Sequence, residues 1–436
     1  MAEAILGMRG TGSWGLSSNE RPTNFREKIL REYPNGPSPF MAILGMLKSE
    51  GVNDVKFTIF EQSFPDQVHA VTTAGDPTTS TDGGSQGTAT TDQWIVLDDA
   101  TYTNPQYYFK PGHLVRNETT GEVMLVIARA ATASDDNIKV IRGIGVGATY
   151  GDNSGTLGTG GAVLNDDVLT IIGNANIEGD NYPEAIAYQA SERWNFIETF
   201  RTSLELTEDA EKTHFRTGNA LENLKYDAAM QHSMELEKAF LYGKRDLLTT
   251  ASSYALSPSI SGRTSTQDHR FMGGFIFFAT SNVSSFSSGL TRTDFIDFLR
   301  PIYTVPGGSM NKIAFCGAQA LGIMTQYAED LGQIFLEPGD KTYGLQIRTL
   351  VHAWGELKLV NHPLMSEHSV WTKNMNIIDT KNVMYRYLDG CDTRYLKDRQ
   401  GNGELKKVDE FVTKASLELR FPRTHGIATG IDAFVG

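Results

Sequence analysis

Hydrophobic and polar positions change period several times along the chain, and each change marks an element. Before residue 50 the pattern is helical in FREKILREY and again in FMAILGMLKSEG, with PNGPSP interrupting the chain between them. From Val55 it switches to alternation in VKFTIFEQ, which predicts a strand. The tract TTAGDPTTSTDGGSQGTATTD, residues 72 to 92, is too polar to bury anything and reads as a loop or the tip of a long hairpin. Residues 94 to 172 then carry short strands in WIVLDDA, YYFKPGHLVRNETTGEVMLVIARA, NIKVIRGIG and VLTIIG, a spacing that predicts a small antiparallel barrel or sandwich.

A mixed segment, 190 to 212, leads into one long helix expected from about Gly218 to Gly243, on the order of 39 Å at 1.5 Å per residue. Plotted at 100° per residue, Leu221, Leu224, Ala228, Leu236 and Ala239 form one apolar stripe. Met230, Met234 and Leu241 form a second, separated from the first by Lys225, Asp227, Glu237 and Lys238. Either both stripes are buried within one chain or the second meets a neighbouring subunit. Beyond the helix come FMGGFIFFA, a helix in TRTDFIDFLRPIY capped by Thr291 or Thr293, the buried strand KIAFCG and a helix in AQALGIMTQYAED. The last third is mostly strand-like, so this half reads as an α/β or α+β domain.

A chain of 436 residues, 40% hydrophobic and 21% charged, has material for two or three cored domains. The formal charge of -13 repels phosphate backbones and argues against a sequence-reading nucleic-acid binder. Cys316 and Cys391 lie far apart, which fits a reducing cytosol and excludes a disulfide framework. FMGGFIFFA is far short of a membrane span and MAEAILGMRGTG lacks a basic leader, so a soluble protein made and kept inside a cell is expected.

Chemistry is harder to find. Gly143, Gly145 and Ala148 satisfy a loose dinucleotide pattern, but the chain continues into Gly, Ser and Thr where a helix must begin to bind pyrophosphate. No phosphate loop of the G-x-x-x-x-G-K-[ST] type occurs. His352, His362 and His368 form the densest histidine group without any zinc spacing, and the carboxylate pairs in LNDDVL and YAEDLG read as surface pattern. No catalytic, cofactor-binding or metal-binding residue is therefore expected. The pentapeptide AILGM occurs at 4 to 8 and at 42 to 46, and Ile5, Leu6, Ile43 and Leu44 join Met230, Met234 and Leu241 as candidate contacts between subunits.

In order, PGHLVRNETTGEVMLVIARA, IKVIRGIGVGAT and NDDVLTIIGNANIEGDNYPEA resemble the pattern of tailed-bacteriophage major capsid proteins with the Hong Kong 97-like fold. MELEKAFLYGKRD is similar to that family's end of the spine helix, and HRFMGGFIFFA to its "R-MgG" segment. Two turns depart from the pattern: Pro111, Gly112 and His113 stand where it has Gly-Asp, and Asp166-Asp167 replaces a second Gly-Asp. The likeness extends loosely to NIIDTKNVMYRYL and SLELRFPRTHG, covering most of residues 50 to 430.

The resemblance implies an α+β fold with a long spine helix, an extended β-hairpin loop and a β-rich insertion domain. It divides the chain into an N-terminal arm at 1-50, an extended loop at 51-189 holding the insertion at about 94-172, the spine and the start of a peripheral domain at 190-267, a mainly axial domain at 268-360, and strands at 361-436 returning to the peripheral domain. It also implies a structural protein, not an enzyme, that forms hexamers and pentamers of an icosahedral shell around double-stranded DNA without reading its sequence. A separate scaffolding protein, a portal and a decoration protein are the implied partners, in a virion assembled in the bacterial host cytoplasm. The alternative is a β-rich tail or surface-binding component that uses the 94-172 insertion.

Overall fold

The computed structural model describes residues 38–62, 67–72, 93–98, 104–130, 136–141, 165–179, 185–213, 218–248, 268–330 and 347–435, with a few isolated positions besides. The first AILGM copy with Ile5 and Leu6, the polar tract from residue 73 to 92, and the glycine pattern at Gly143, Gly145 and Ala148 lie outside the described residues. The chain divides into two compact units, residues 60–191 and the remainder.

The smaller unit is built from a six-stranded antiparallel sheet in the order Val68–Ala70, Val168–Asn174, His113–Asn117, Val123–Arg129, Asn137–Ile141, Gln93–Val96. An antiparallel bridge between Val71 and Leu97 joins the two outer strands, so the sheet closes into a ring and has the small antiparallel barrel form expected of the insertion. Alternation supplies its core: Val115, Met124, Val126, Ile138, Val140 and Leu169 point inward and are buried. The ring takes its first strand from ahead of the expected 94-172 stretch, because the polar tract lies between two of its strands and not before them.

Both turns that depart from the family pattern have backbone reasons. Gly112 has φ +91° and a Cβ there would lie 2.7 Å from Asn176 Oδ1, so the glycine is required although its neighbours differ. Asp166 has φ +66°, a left-handed position that Asp tolerates better than most side chains, and Asp167 Oδ2 accepts from buried Asn117 Nδ2 at 2.9 Å.

The larger unit holds two main sheets. A five-stranded sheet runs Ser49–Val52, Val383–Leu388, Lys406–Leu419, Glu198–Thr207, with Arg394–Leu396 also on Lys406–Leu419. Its parallel edge strand is fastened by Arg386, whose Nη1 lies 2.7 Å from Glu50 Oε2 while its Nε donates to buried Glu418. The second sheet has six strands, Val283–Ser285, Gly426–Thr429, Met375–Ile378, Asn311–Cys316, Gly355–Asn361 and Ile347–His352, in mixed directions. Helices Arg292–Thr304 and Ala318–Asp330 cover it through Phe295, Phe298, Leu299, Ile302, Ile323, Met324 and Tyr327. Thr291 caps the first of them, its hydroxyl accepting from Asp294 N at 3.2 Å.

Three expectations need correction. The mixed segment at 190-212 is largely two strands, Ser191–Phe196 and Glu198–Thr207, the second alternating regularly between buried and exposed. Its inward Thr202 hides the alternation from a reading based on apolar residues alone. Not all of 361-436 returns to the long-helix sheet: Met375–Ile378 and Gly426–Thr429 are inner strands of the six-stranded sheet. Being buried on both faces, Met375–Ile378 carries no alternation that would say which sheet it joins. Finally, Glu237 is fully buried instead of separating two stripes at the surface.

Candidate functional site: the long helix and its sockets

The long helix spans Ala220–Tyr242, 23 residues or roughly 35 Å. Asn219 caps its start, accepting from Leu221 N at 2.9 Å, and Gly243 ends it. One face lies on the five-stranded sheet through Ala228, His232, Leu236 and Phe240. His232 works there as a polar tie: Nδ1 lies 2.9 Å from Thr202 Oγ1 and Nε2 lies 2.8 Å from Thr413 Oγ1, joining the helix to two strands at once. Burial pushes its pKa below the ordinary histidine value, only partly offset by Glu235.

A second face receives the short helix Pro39–Met46. Glu237 Oε1 accepts from Phe40 N at 2.7 Å and Oε2 from Met41 N at 2.8 Å, so one carboxylate satisfies two otherwise unpaired donors in the first turn of that helix. His362 completes the site. Its Nδ1 accepts from Met365 N at 3.3 Å, leaving Nε2 to donate to Glu237 Oε1 at 2.8 Å. Around this polar knot Phe40, Ile43 and Leu44 pack with Leu236, Phe240, Leu241, Phe315 and Tyr385 in one apolar cluster. Ser38 adds a bond from its hydroxyl to Ser233 O at 3.1 Å.

The candidate contacts therefore separate. Ile43, Leu44 and Leu241 are buried in the subunit's own core and present no surface to a neighbour. Met230 and Met234 are half-buried and keep surface to offer, while Ile5 and Leu6 lie outside the described residues. Glu237 and His232 escaped the sequence reading because a helical plot treats every charged or polar position as outward. The available signal was the position of Glu237 three residues before Phe240 and four before Leu241, on one side of the helix.

The helix end is closed by glycines. Asn195 is buried and fully used: Nδ2 donates to Gly273 O and Leu417 O, and Oδ1 accepts from Gly273 N and Phe196 N. That bonding holds the 271–274 segment against Gly243, so the two stretches that carried the helix-end resemblance meet in space. Tyr242 stacks on Trp371, which stacks in turn on His368, giving one of the grouped histidines a packing role.

Cys316 and Cys391 are free, and burial raises the Cys316 thiol far out of the reactive range. Among the described residues no three His, Cys, Asp or Glu side chains are grouped as metal ligands would be, and no helix is long and apolar enough to cross a membrane.

No curated protein matches the chain. Among solved structures, the chain is similar to that of Microbacterium phage Oxtober96 at 10% identity, covering 94% of this chain and 95% of that one, with a TM-score of 0.39. The capsid asymmetric unit of cyanophage Pam1 follows at 7% identity, 60% and 82% coverage and TM-score 0.37. The holo-SrpI encapsulin complex of Synechococcus elongatus PCC 7942 stands at 8%, 56% and 79%, with TM-score 0.37. At TM-scores this low the likenesses carry no weight of their own. The sequence itself is decisive, because the family model described as SU10 major capsid protein matches residues 10–432, through the barrel, the long helix and both sheets. The chain belongs to the SU10 major capsid protein family.

Proposed function

We propose that this major capsid protein assembles into hexamers and pentamers that close an icosahedral shell around double-stranded DNA. The family match over residues 10–432 carries the reading. The charge of -13 is consistent with it, since an acidic wall holds a spooled polyanion without gripping it. In this reading the five-stranded sheet and long helix form the peripheral domain, the six-stranded sheet the axial domain, and residues 51-189 the extended loop with its barrel. Met230 and Met234 face a neighbouring subunit. A separate scaffolding protein, a portal and a decoration protein act with the chain, which is made in the bacterial host cytoplasm and ends in the virion.

Expression of the chain alone and with its genomic neighbours, followed by light scattering and electron microscopy, tests the reading. Closed shells, tubes or stable rings of five and six are expected. A monodisperse monomer or dimer from both preparations overturns it and turns attention to the barrel as a binding module.

A further inference from the structure

The six-stranded sheet ends at Val283–Ser285, which among the described residues pairs on one side only, in parallel with Gly426–Thr429. Asn282 O accepts from Ile427 N at 2.8 Å and Phe286 N donates to Thr429 O at 2.8 Å, so the even-numbered residues spend these main-chain groups on the ladder. In a parallel pair the residues between them turn their N–H and C=O groups the other way, which leaves those of Val283 and Ser285 along an open edge. Asn282 holds that edge in place, its Nδ2 donating to Arg423 O and to His425 O at 2.8 Å each.

A groove of about 640 Å³ is lined by this strand and by the helix Arg292–Thr304, a size within the roughly 300–1,000 Å³ of ligand sites. Phe286 and Phe298, edge to face with ring centres 5.8 Å apart, give it an apolar lining. Asp294 and Asp297, both exposed and nearly one turn apart on the helix, give it negative charge, and no Lys or Arg is among its lining residues. Arg300 lies 3.3 Å from Asp297 Oδ1, but both side chains are more than half exposed and the pair is well solvated. Pro301 also lines the groove and has no N–H, so Asp297 O lacks its intrahelical donor. An open row of edge amides is matched by an extended main chain, which repeats donors and acceptors at the same spacing. The two carboxylates and the freed carbonyl are matched by a cationic donor, and the phenylalanines by the alkyl stem that carries it. We propose that this groove takes an extended basic peptide segment of another protein, added as a further strand along Val283–Ser285 with a lysine or arginine side chain turned toward Asp294 and Asp297. The inference concerns the single chain and does not depend on the shell reading.

Fluorescence anisotropy of the full chain with three fluorescein-labelled peptides tests it: Thr-Val-Lys-Val-Thr, the same peptide with Glu for Lys, and the Lys peptide methylated on every main-chain nitrogen. The Lys peptide is expected to bind saturably, the Glu peptide at least about tenfold more weakly, and the methylated peptide not at all. Asp294→Asn combined with Asp297→Asn, at two exposed positions, should weaken the Lys peptide about tenfold while circular dichroism stays that of the parent. Hydrogen exchange should slow at Val283–Ser285 on binding and not at Ile347–His352, the opposite edge of the same sheet. No saturable binding of the Lys peptide up to about 1 mM, equal binding of all three peptides, or protection at Ile347–His352 instead overturns the proposal. So does self-association that the double substitution abolishes and the Lys peptide leaves untouched, which would make the groove a contact between copies of this chain.

Discussion

Gly274 N donates to Gly243 O at 2.9 Å, bringing the end of the long helix and the 271–274 segment into backbone contact. A Cβ on Gly274 would lie 2.7 Å from Ala239 O and 2.8 Å from Gly243 N, and one on Gly243 would lie 2.5 Å from Ala239 O. The obstructing atoms are backbone and cannot turn aside. Gly274→Ala is therefore expected to cost roughly 1–3 kcal/mol by overpacking. Urea unfolding of the variant measures it, and an unchanged midpoint refutes the close-contact account.

Glu237→Ala removes the acceptor shared by Phe40 N, Met41 N and His362 Nε2. With three buried donors left unpaired, the expected loss is on the order of 3 kcal/mol, and Glu237→Gln, which keeps one acceptor oxygen, loses less. Limited proteolysis should cut near Pro39–Met46 earlier in the alanine variant. Equal stability of all three proteins would show that this carboxylate is not what seats the short helix.

Burial holds His425 down to about 4, against the neighbouring Asp379 carboxylate, which raises it, and its ordinary value is 6.5. Between those values the unfolded chain binds the extra proton and the folded chain does not, so stability is present above pH 6.5 and is lost as pH falls toward 4. One such group is worth up to about 1.4 kcal/mol per pH unit, and His69 and His352, also held to about 4 by burial, act in the same direction. The urea midpoint measured from pH 7.5 to pH 4.5 should fall steadily below pH 6.5. A flat profile would mean that these imidazoles are not kept neutral in the fold.

Met230→Glu and Met234→Glu act on half-buried positions and should change the folding free energy by no more than about 1 kcal/mol. If the two methionines face a neighbour, assembly suffers far more than folding. Thermal melting and sedimentation of the same samples separate the two effects. Normal particles from both variants would remove the methionines from the interface.

Asp166 at φ +66° pays for a left-handed backbone that glycine adopts freely. Asp166→Gly should stabilise the barrel by up to about 1 kcal/mol, seen as a higher melting temperature. A lower one would show that the Asp166 side chain has a bonding role outweighing the strain.

Much of the architecture was legible in the order of its patterns. Alternation marked the barrel strands, the 3.6-residue period and Gly243 marked the long helix, and Thr291 or Thr293 marked the start of another, of which the structure uses Thr291. These are local properties, set by side-chain spacing and capping within a few residues, so the sequence by itself determined most of the elements, the two strands within 190-212 excepted, and pointed through their order to the family. What only the tertiary structure decided was partnership. Leu241 packs with Phe40 and Leu44 in the subunit's own core, a partnership that nothing in its local sequence specifies. Glu237 looked like a surface charge until the first turn of a helix about 197 residues earlier in the chain supplied two donors for it. Lys312 and Asp379, 67 residues apart, are buried together because two chain passages happen to meet there. A charged residue is buried only where distant groups neutralise and hydrogen-bond it, and which groups arrive is set by the fold of the whole chain and not by the residue's own neighbours in sequence.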